Sequence, residues 1–347
     1  MDRIDFRSDT VSWPTPEMRE AMATAQVGDD VFGDDPTVNR LEALSAERTG
    51  KEAGLFVTSG TQGNLVAVLG HAQRGDEAIL GVESHVYLWE VGGMSSFGGI
   101  FPRTVPVDAS GRMDPTAVES AVRDSSDHHL GHSRLLLVEN TFGGRGGRPL
   151  PADYFTTLKG VADRHGLAVH LDGARLFNAA VALGVEASTL TADVDTVTFC
   201  LSKGLCAPVG SMLCGPADFI EEARRTRKAL GGGMRQAGIV AAAGLVALES
   251  MVERLADDHA HARMLAEKLA TIDGIRIAPE TVETNIVFFE LEPDVALTPV
   301  DVCRQVALEH SILLDIYTPE ILRAITHYWV GEQDVDRLVN AIATVIS

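Results

Sequence analysis

From about residue 38 the chain alternates short, unbroken apolar runs with amphipathic stretches. Residues 38–49 and 63–73 read as helices, whereas 53–58, 77–82, 134–139, 167–171, 196–201 and 210–214 read as short strands. Apolar strands separated by helical segments predict right-handed crossovers and a mainly parallel sheet between two layers of helix, an α/β fold. The texture changes near residue 236: residues 239–270, rich in Ala, Leu, Glu and Arg, read as long helix. Beyond Gly274 come strands at 276–277 and 285–291, a helix at 300–310, strands at 312–316 and 322–326, and a helix at 333–346. That is a smaller α+β unit. The pattern predicts a large domain over residues 1–250 and a small C-terminal domain over 251–347, meeting inside the helical stretch.

Composition narrows the classes of function. Of the 347 residues, 45% are hydrophobic, enough for a sizeable core, and the net charge of −20 argues against nucleic acid as a partner. Net charge says nothing about substrate sign, which a few local arginines can set. Cys200, Cys206, Cys214 and Cys303 fit no metal-ligand spacing, and no metal site is legible. Buried thiols, an N-terminus without a signal-peptide pattern and the lack of a membrane-spanning apolar run predict a cytoplasmic protein with no membrane association.

The candidate chemistry lies at two strand ends. The run Thr196 to Leu201 leads to Lys203, and Leu167 to Leu171 leads to Asp172, with Arg175 three residues on. Alone, such a lysine can snorkel to the surface and such an aspartate can cap a helix. Together they suit one cofactor: lysine forms a Schiff base with an aldehyde, and a carboxylate keeps a pyridinium nitrogen protonated. Pyridoxal phosphate (PLP) is that aldehyde. Ser59-Gly60-Thr61-Gln62-Gly63-Asn64 follows a strand and opens a helix, where free backbone N–H groups favour an anion. It is neither a Walker A loop nor a dinucleotide fingerprint. Arg235, after Gly231-Gly232-Gly233, is a second candidate for the phosphate.

Several blocks resemble the low-specificity L-threonine aldolases, in order along nearly the whole chain: Phe6 to Val11, Gly28 to Pro36, Ser59 to Asn64, Ser84-His85, His170 to Arg175, Ser202 to Gly210, and Gly231 to Gln236. The resemblance implies the aspartate-aminotransferase-like fold of PLP-dependent transferases (fold type I), with roughly the first 15 residues an N-terminal arm near the active site. It implies a homotetramer, a dimer of dimers with shared sites. Lys203 would hold the cofactor, Asp172 its ring nitrogen, and Arg175 would lie near the ring oxygen. Gly60 and Thr61 would hold the phosphate, Arg235 would reach it from the neighbouring subunit, and His85 would stack on the ring. Ser8 and Arg323 would grip the carboxylate of an amino-acid substrate.

The implied reaction cleaves L-threonine, L-allo-threonine and related β-hydroxy-α-amino acids to glycine and an aldehyde. Lys203, His85 and Asp172 would be its catalytic residues. Two positions depart from the pattern: Phe142 stands where these enzymes carry histidine, and Phe32 where tyrosine is more usual. With Phe142 in the substrate site, the expectation is an altered preference at Cβ, and His85 or a water it holds becomes the base. His128, His129 and His132 lie in a polar segment that reads as solvent-exposed. The competing readings are another PLP carbanion reaction (β-elimination or racemisation) and a non-catalytic PLP-binding protein.

Overall fold

The computed structural model describes residues 3–347, so Met1 and Asp2 of the expected arm lie outside the described residues. A seven-stranded sheet runs in the order Ala53–Val57, Ser211–Gly215, Thr196–Cys200, Ala168–Asp172, Ser133–Glu139, Glu77–Gly81, Phe101–Val105. Ser211–Gly215 is antiparallel to both its neighbours, and the remaining pairs are parallel. Glu77–Gly81, Thr196–Cys200 and Ser211–Gly215 are buried at every residue, Thr196 and Thr198 included, as in strands covered on both faces. Asp172 stands opposite Thr198 on the adjacent strand. The sheet thereby brings Asp172 and, just past Cys200, Lys203 to the same edge, where open α/β sheets place their ligands.

Phe101–Val105 is a strand that the apolar pattern does not reveal. It lies at the sheet edge, with Phe101 and Thr104 exposed, and an edge is where a strand can hold Pro102. The long helix expected over 239–270 is two helices, Gly238–Ser250 and Leu255–Leu269. No glycine or proline breaks it. Met251 and Leu255 flank the turn and are both buried in the larger core, while Ala262, Leu265 and Leu269 belong to the C-terminal core. The turn lets one continuous stretch serve both.

The C-terminal part has an antiparallel sheet in the order Asp315–Ile316, Ile321–Ile325, Ile286–Leu291, Ile275–Arg276. Helices Leu255–Leu269, Pro299–His310 and Glu332–Ile346 contribute to the apolar core beside it. The N-terminal arm joins this part. Ile4–Asp5 pairs in parallel with Ile312–Leu313, and Phe6 is fully buried in the C-terminal core. From there the chain crosses to the large sheet, where the Ser12 hydroxyl donates to the Lys203 carbonyl at 2.9 Å. Among the described residues no helix is long and apolar enough to cross a membrane.

Candidate active site

Two adjoining cavities, of about 390 and 200 Å³, share His85, Asp172, Ala174 and Lys203. Ser8, Arg175 and Arg323 also line the larger one, and Gly60 and Thr61 the smaller. Eight of the residues singled out in the sequence therefore meet at one place, drawn from the arm, both strand ends, two helix starts and the C-terminal sheet. His128, His129 and His132 are exposed.

On the floor, Asp172 is buried and accepts from the Ala174 N–H at 3.1 Å and from Asn64 Nδ2 at 2.9 Å. Lys203 is half-buried, and among the described residues no carboxylate forms an ion pair with it. Helix Gly60–His71 begins at the smaller cavity, capped by the Ser59 hydroxyl, which accepts from the Gln62 N–H at 3.1 Å. The first N–H groups of any helix lack an intrahelical acceptor, which makes this end a cradle for an anion. A Cβ on Gly60 would come within 2.9 Å of Cys200 Sγ, so only glycine leaves this turn its close packing.

The arm forms one wall. Asp9 is fully buried and takes Arg175 Nε at 2.7 Å and Nη2 at 2.6 Å, a two-pronged pair, with Asn285 Nδ2 at 3.2 Å. Burial alone would raise the Asp9 pKa, but the Arg175 guanidinium, helped by Lys203, brings it well below the usual carboxylate range. The Ser8 hydroxyl oxygen accepts from Thr10 N–H and Thr10 Oγ1, which leaves its own hydrogen free.

The opposite wall carries His85 at the start of the one-turn helix His85–Leu88. Ser84 offers that helix no side-chain cap. The Glu139 carboxylate does so instead, accepting the His85 N–H at 2.8 Å and the Gly143 N–H at 2.9 Å. Burial, reinforced by the Asp172 carboxylate, pushes the Glu139 pKa up to about 7. His85 Nδ1 lies 3.0 Å from Glu90 Oε1, and Nε2 has no hydrogen-bond partner among the described residues. Burial works against charge on His85 and in favour of protonated Glu90. The contact between them raises His85, and Asp172 raises both. The pair thus keeps its shared proton to higher pH than either group would in water. His85, Glu90 and Asp172 offer ligand atoms within 4.8 Å of one another, a spacing a cation could use, although the Asn64 amide already donates to both carboxylates.

Arg323 lies on Ile321–Ile325 and ion-pairs with Asp315 on the next strand. Its Nε is buried without an acceptor among the described residues. Tyr317, stacked on Phe288 with ring centroids 4.7 Å apart, and Trp89 add an aromatic face to the larger cavity.

Two residues fall elsewhere. Arg235 lines neither cavity of its own chain; it is half-exposed and pairs with Asp29 at 3.0 Å. Phe142, expected in the substrate site, lines neither cavity. Its ring is buried over Gly111, where a Cβ would stand 2.3 Å from the Phe142 ring, and it also approaches Gly81 and Gly144. An apolar ring gains more by packing there than by facing charged groups. The sequence reading gave no role to Asp9, Asn64, Glu90, Glu139 or Tyr317. Asp9 and Asn64 sit inside recognisable blocks, whereas Glu90 and Tyr317 carry no local signal.

The family model described as beta-eliminating lyase matches residues 5–292. The chain is 47% identical to low-specificity L-threonine aldolase 1 of Arabidopsis thaliana, over 96% of this chain and 94% of the relative. The chain belongs to this family. The low specificity L-threonine aldolase of Escherichia coli (strain K12) is 43% identical, with 96% of each chain covered. A solved Leishmania major threonine aldolase superposes with a TM-score of 0.83 at 21% identity, covering 99% of this chain and 100% of that one. That likeness supplies the fold, and it agrees with the fold type I architecture expected above.

Proposed function

We propose that the protein binds PLP through Lys203 and cleaves L-threonine, L-allo-threonine and related β-hydroxy-α-amino acids to glycine and an aldehyde. The observation that carries this reading is a primary amine without an ion-pair partner among the described residues, Lys203, beside the buried Asp172 at neighbouring strand ends, with Arg323 lining the same cavity. The residues fit the cofactor. A helix start with free N–H groups opens onto the smaller cavity beside Asp172 and Lys203, and Gly60 lets that turn pack against Cys200. Lys203 would hold the aldehyde carbon, Asp172 the ring nitrogen, Gly60 and Thr61 the phosphate, and His85 one ring face.

The chemistry that PLP supplies when bound is an electron sink for the pair left on Cα when the Cα–Cβ bond breaks. The chain supplies position and proton transfer. Arg323, with its unpaired Nε, and the Ser8 hydroxyl bind the substrate carboxylate, and Arg175 adds charge to that wall while Asp9 holds it still. His85 takes the β-hydroxyl proton at Nε2, directly or through one water, because Glu90 occupies Nδ1. Asp172 would hold the ring nitrogen, its carboxylate oriented by the Ala174 and Asn64 bonds.

The same proposal includes a homotetramer with Arg235 serving a neighbouring subunit. Supporting it, Arg235 is half-exposed, and Val31 and Phe32, which follow its partner Asp29, are exposed apolar residues. Four unpaired cysteines, three of them buried, support a reducing, cytoplasmic setting. We also infer a domain division near residue 250, with the arm docked on the smaller domain. The deciding experiment is a product-resolved assay of PLP-loaded protein on L-threonine, L-allo-threonine and both β-phenylserine diastereomers. Aldehyde and glycine in equal amounts are expected; pyruvate with ammonia, or no turnover, would overturn the reading.

A further inference from the structure

A hydrogen-bond string runs beneath the cavity, beyond the groups used so far. Asn64, buried on helix Gly60–His71, directs its amide nitrogen at two carboxylates: Nδ2 lies 2.9 Å from Asp172 Oδ2 and 2.9 Å from Glu90 Oε1. Its Oδ1 faces His170 Nε2 at 3.1 Å. His170 Nδ1 lies 2.8 Å from Thr196 Oγ1, and that same oxygen lies 2.8 Å from His71 Nε2. The polarity of every link follows from the carboxylate end. An amide that gives both hydrogens to carboxylates shows only its oxygen to His170, so His170 Nε2 carries the ring proton. Nδ1 of a neutral imidazole must then accept, which makes the Thr196 hydroxyl the donor and leaves its oxygen to accept from His71. Burial lowers the His170 pKa to about 3 and that of His71 to about 4, so both rings stay neutral and the string has one direction.

The string matters because of what sits at its head. Asp172, Glu90 and His85 crowd together with ligand atoms within 4.8 Å. Two buried carboxylates this close repel unless each has its own donor, and a reversed amide would set an oxygen against both. We propose that Asn64 is a positioning residue that aims Asp172 at the cofactor ring and Glu90 at His85, with His170 and Thr196 locking its carboxamide in the orientation that serves both. This rests on the PLP reading above. It ties the ring-facing carboxylate and the proton-accepting histidine to one side chain, and it assigns a role to Thr196, a residue outside both cavities.

Thr196→Val, Thr196→Ser and Asn64→Leu, prepared as holoenzymes beside wild type, test the inference. The readouts are the pH dependence of the bound cofactor's absorbance, kcat and KM for L-threonine taken separately, and the thermal midpoint. Lys203, Arg175, His85, Glu90, Glu139 and Asp172 face the cavities, with Asp9 behind Arg175, and the Thr196 variants leave all of them in place. Asn64→Leu should lower kcat by about tenfold or more with KM within about twofold, and should displace the absorbance–pH curve. Thr196→Val should move the curve the same way by less, and Thr196→Ser should restore it. A Thr196→Val enzyme with the wild-type curve and kcat overturns the inference. So does a change in thermal midpoint alone, or an equal effect of Val and Ser. If Asn64→Leu does not fold, the Thr196 pair decides. Wild type without cofactor absorbance overturns the PLP reading instead.

Discussion

Asp9 on the arm side of the cavity and Glu139 on the His85 side are both buried carboxylates, yet their surroundings push them in opposite directions. Asp9 meets a two-pronged guanidinium, and Arg175 with Lys203 holds it well below the ordinary carboxylate range. Glu139 accepts from two backbone N–H groups, is ion-paired with no guanidinium among the described residues, and rises to about 7 through burial and the neighbouring Asp172 carboxylate. Burial is common to both, so the difference lies in the partner. One wall is a fixed ion pair that steadies a cation, and the other is a set of groups whose protons can move near neutral pH. A site that must grip a carboxylate and also accept a proton needs both kinds.

Removing the cation between the walls should have the largest effect. Lys203→Ala should cut turnover of L-threonine by about a thousandfold or more and abolish covalent retention of PLP, measured by activity and by cofactor content after dialysis. Asp9→Ala breaks the fixed wall and leaves Arg175 buried and unpaired. The expected cost is about 3–5 kcal/mol in denaturant-midpoint stability. In wild type, the Asp9 contribution is fully present above its unfolded pKa of 3.8 and is lost as pH falls below it toward the depressed folded value.

The opposite wall has the opposite sign. Glu139 stays protonated in the fold up to about 7 but ionises in the unfolded chain from 4.5. The folded state therefore binds more protons across that window, and its stability declines as pH rises through it. Glu139→Gln should flatten this decline, by no more than about 3 kcal/mol, in unfolding measured at stepped pH. The smallest effect is expected from Phe142→His. With the side chain seated over Gly111 and not in the cavity, the ratio of phenylserine diastereomers cleaved should stay within about twofold of wild type while stability falls by about 1–3 kcal/mol. A larger change in that ratio would return position 142 to the substrate site.

Much of this was legible in sequence, and the reasons differ by residue. The central strands announce themselves because unbroken apolar runs ending in charge are rare, and Lys203 and Asp172 are conspicuous at those ends. The edge strand Phe101–Val105 was not legible, because a half-exposed strand containing proline lacks the apolar run. The turn at Met251 was invisible because it is set by two cores competing for one helix and not by a breaker residue. Glu90, Glu139 and Tyr317 went unassigned because their roles depend on segments far away in sequence. Phe142 packs away from both cavities for a related reason: a motif position fixes the backbone but not which way a changed side chain turns.

The arm has a further consequence for how the protein is made. Its strand waits for residues 312–313, its Phe6 carbonyl accepts from the Ile325 N–H at 2.8 Å, and Asn285 and Arg175 both reach Asp9. The arm therefore pairs only with segments synthesised long after it. Residues from 312 onward supply the arm's pairing strand and Asp315, Ile316, Tyr317 and Arg323 of the cavity lining. That wall of the cavity therefore depends on contacts between segments far apart in the sequence.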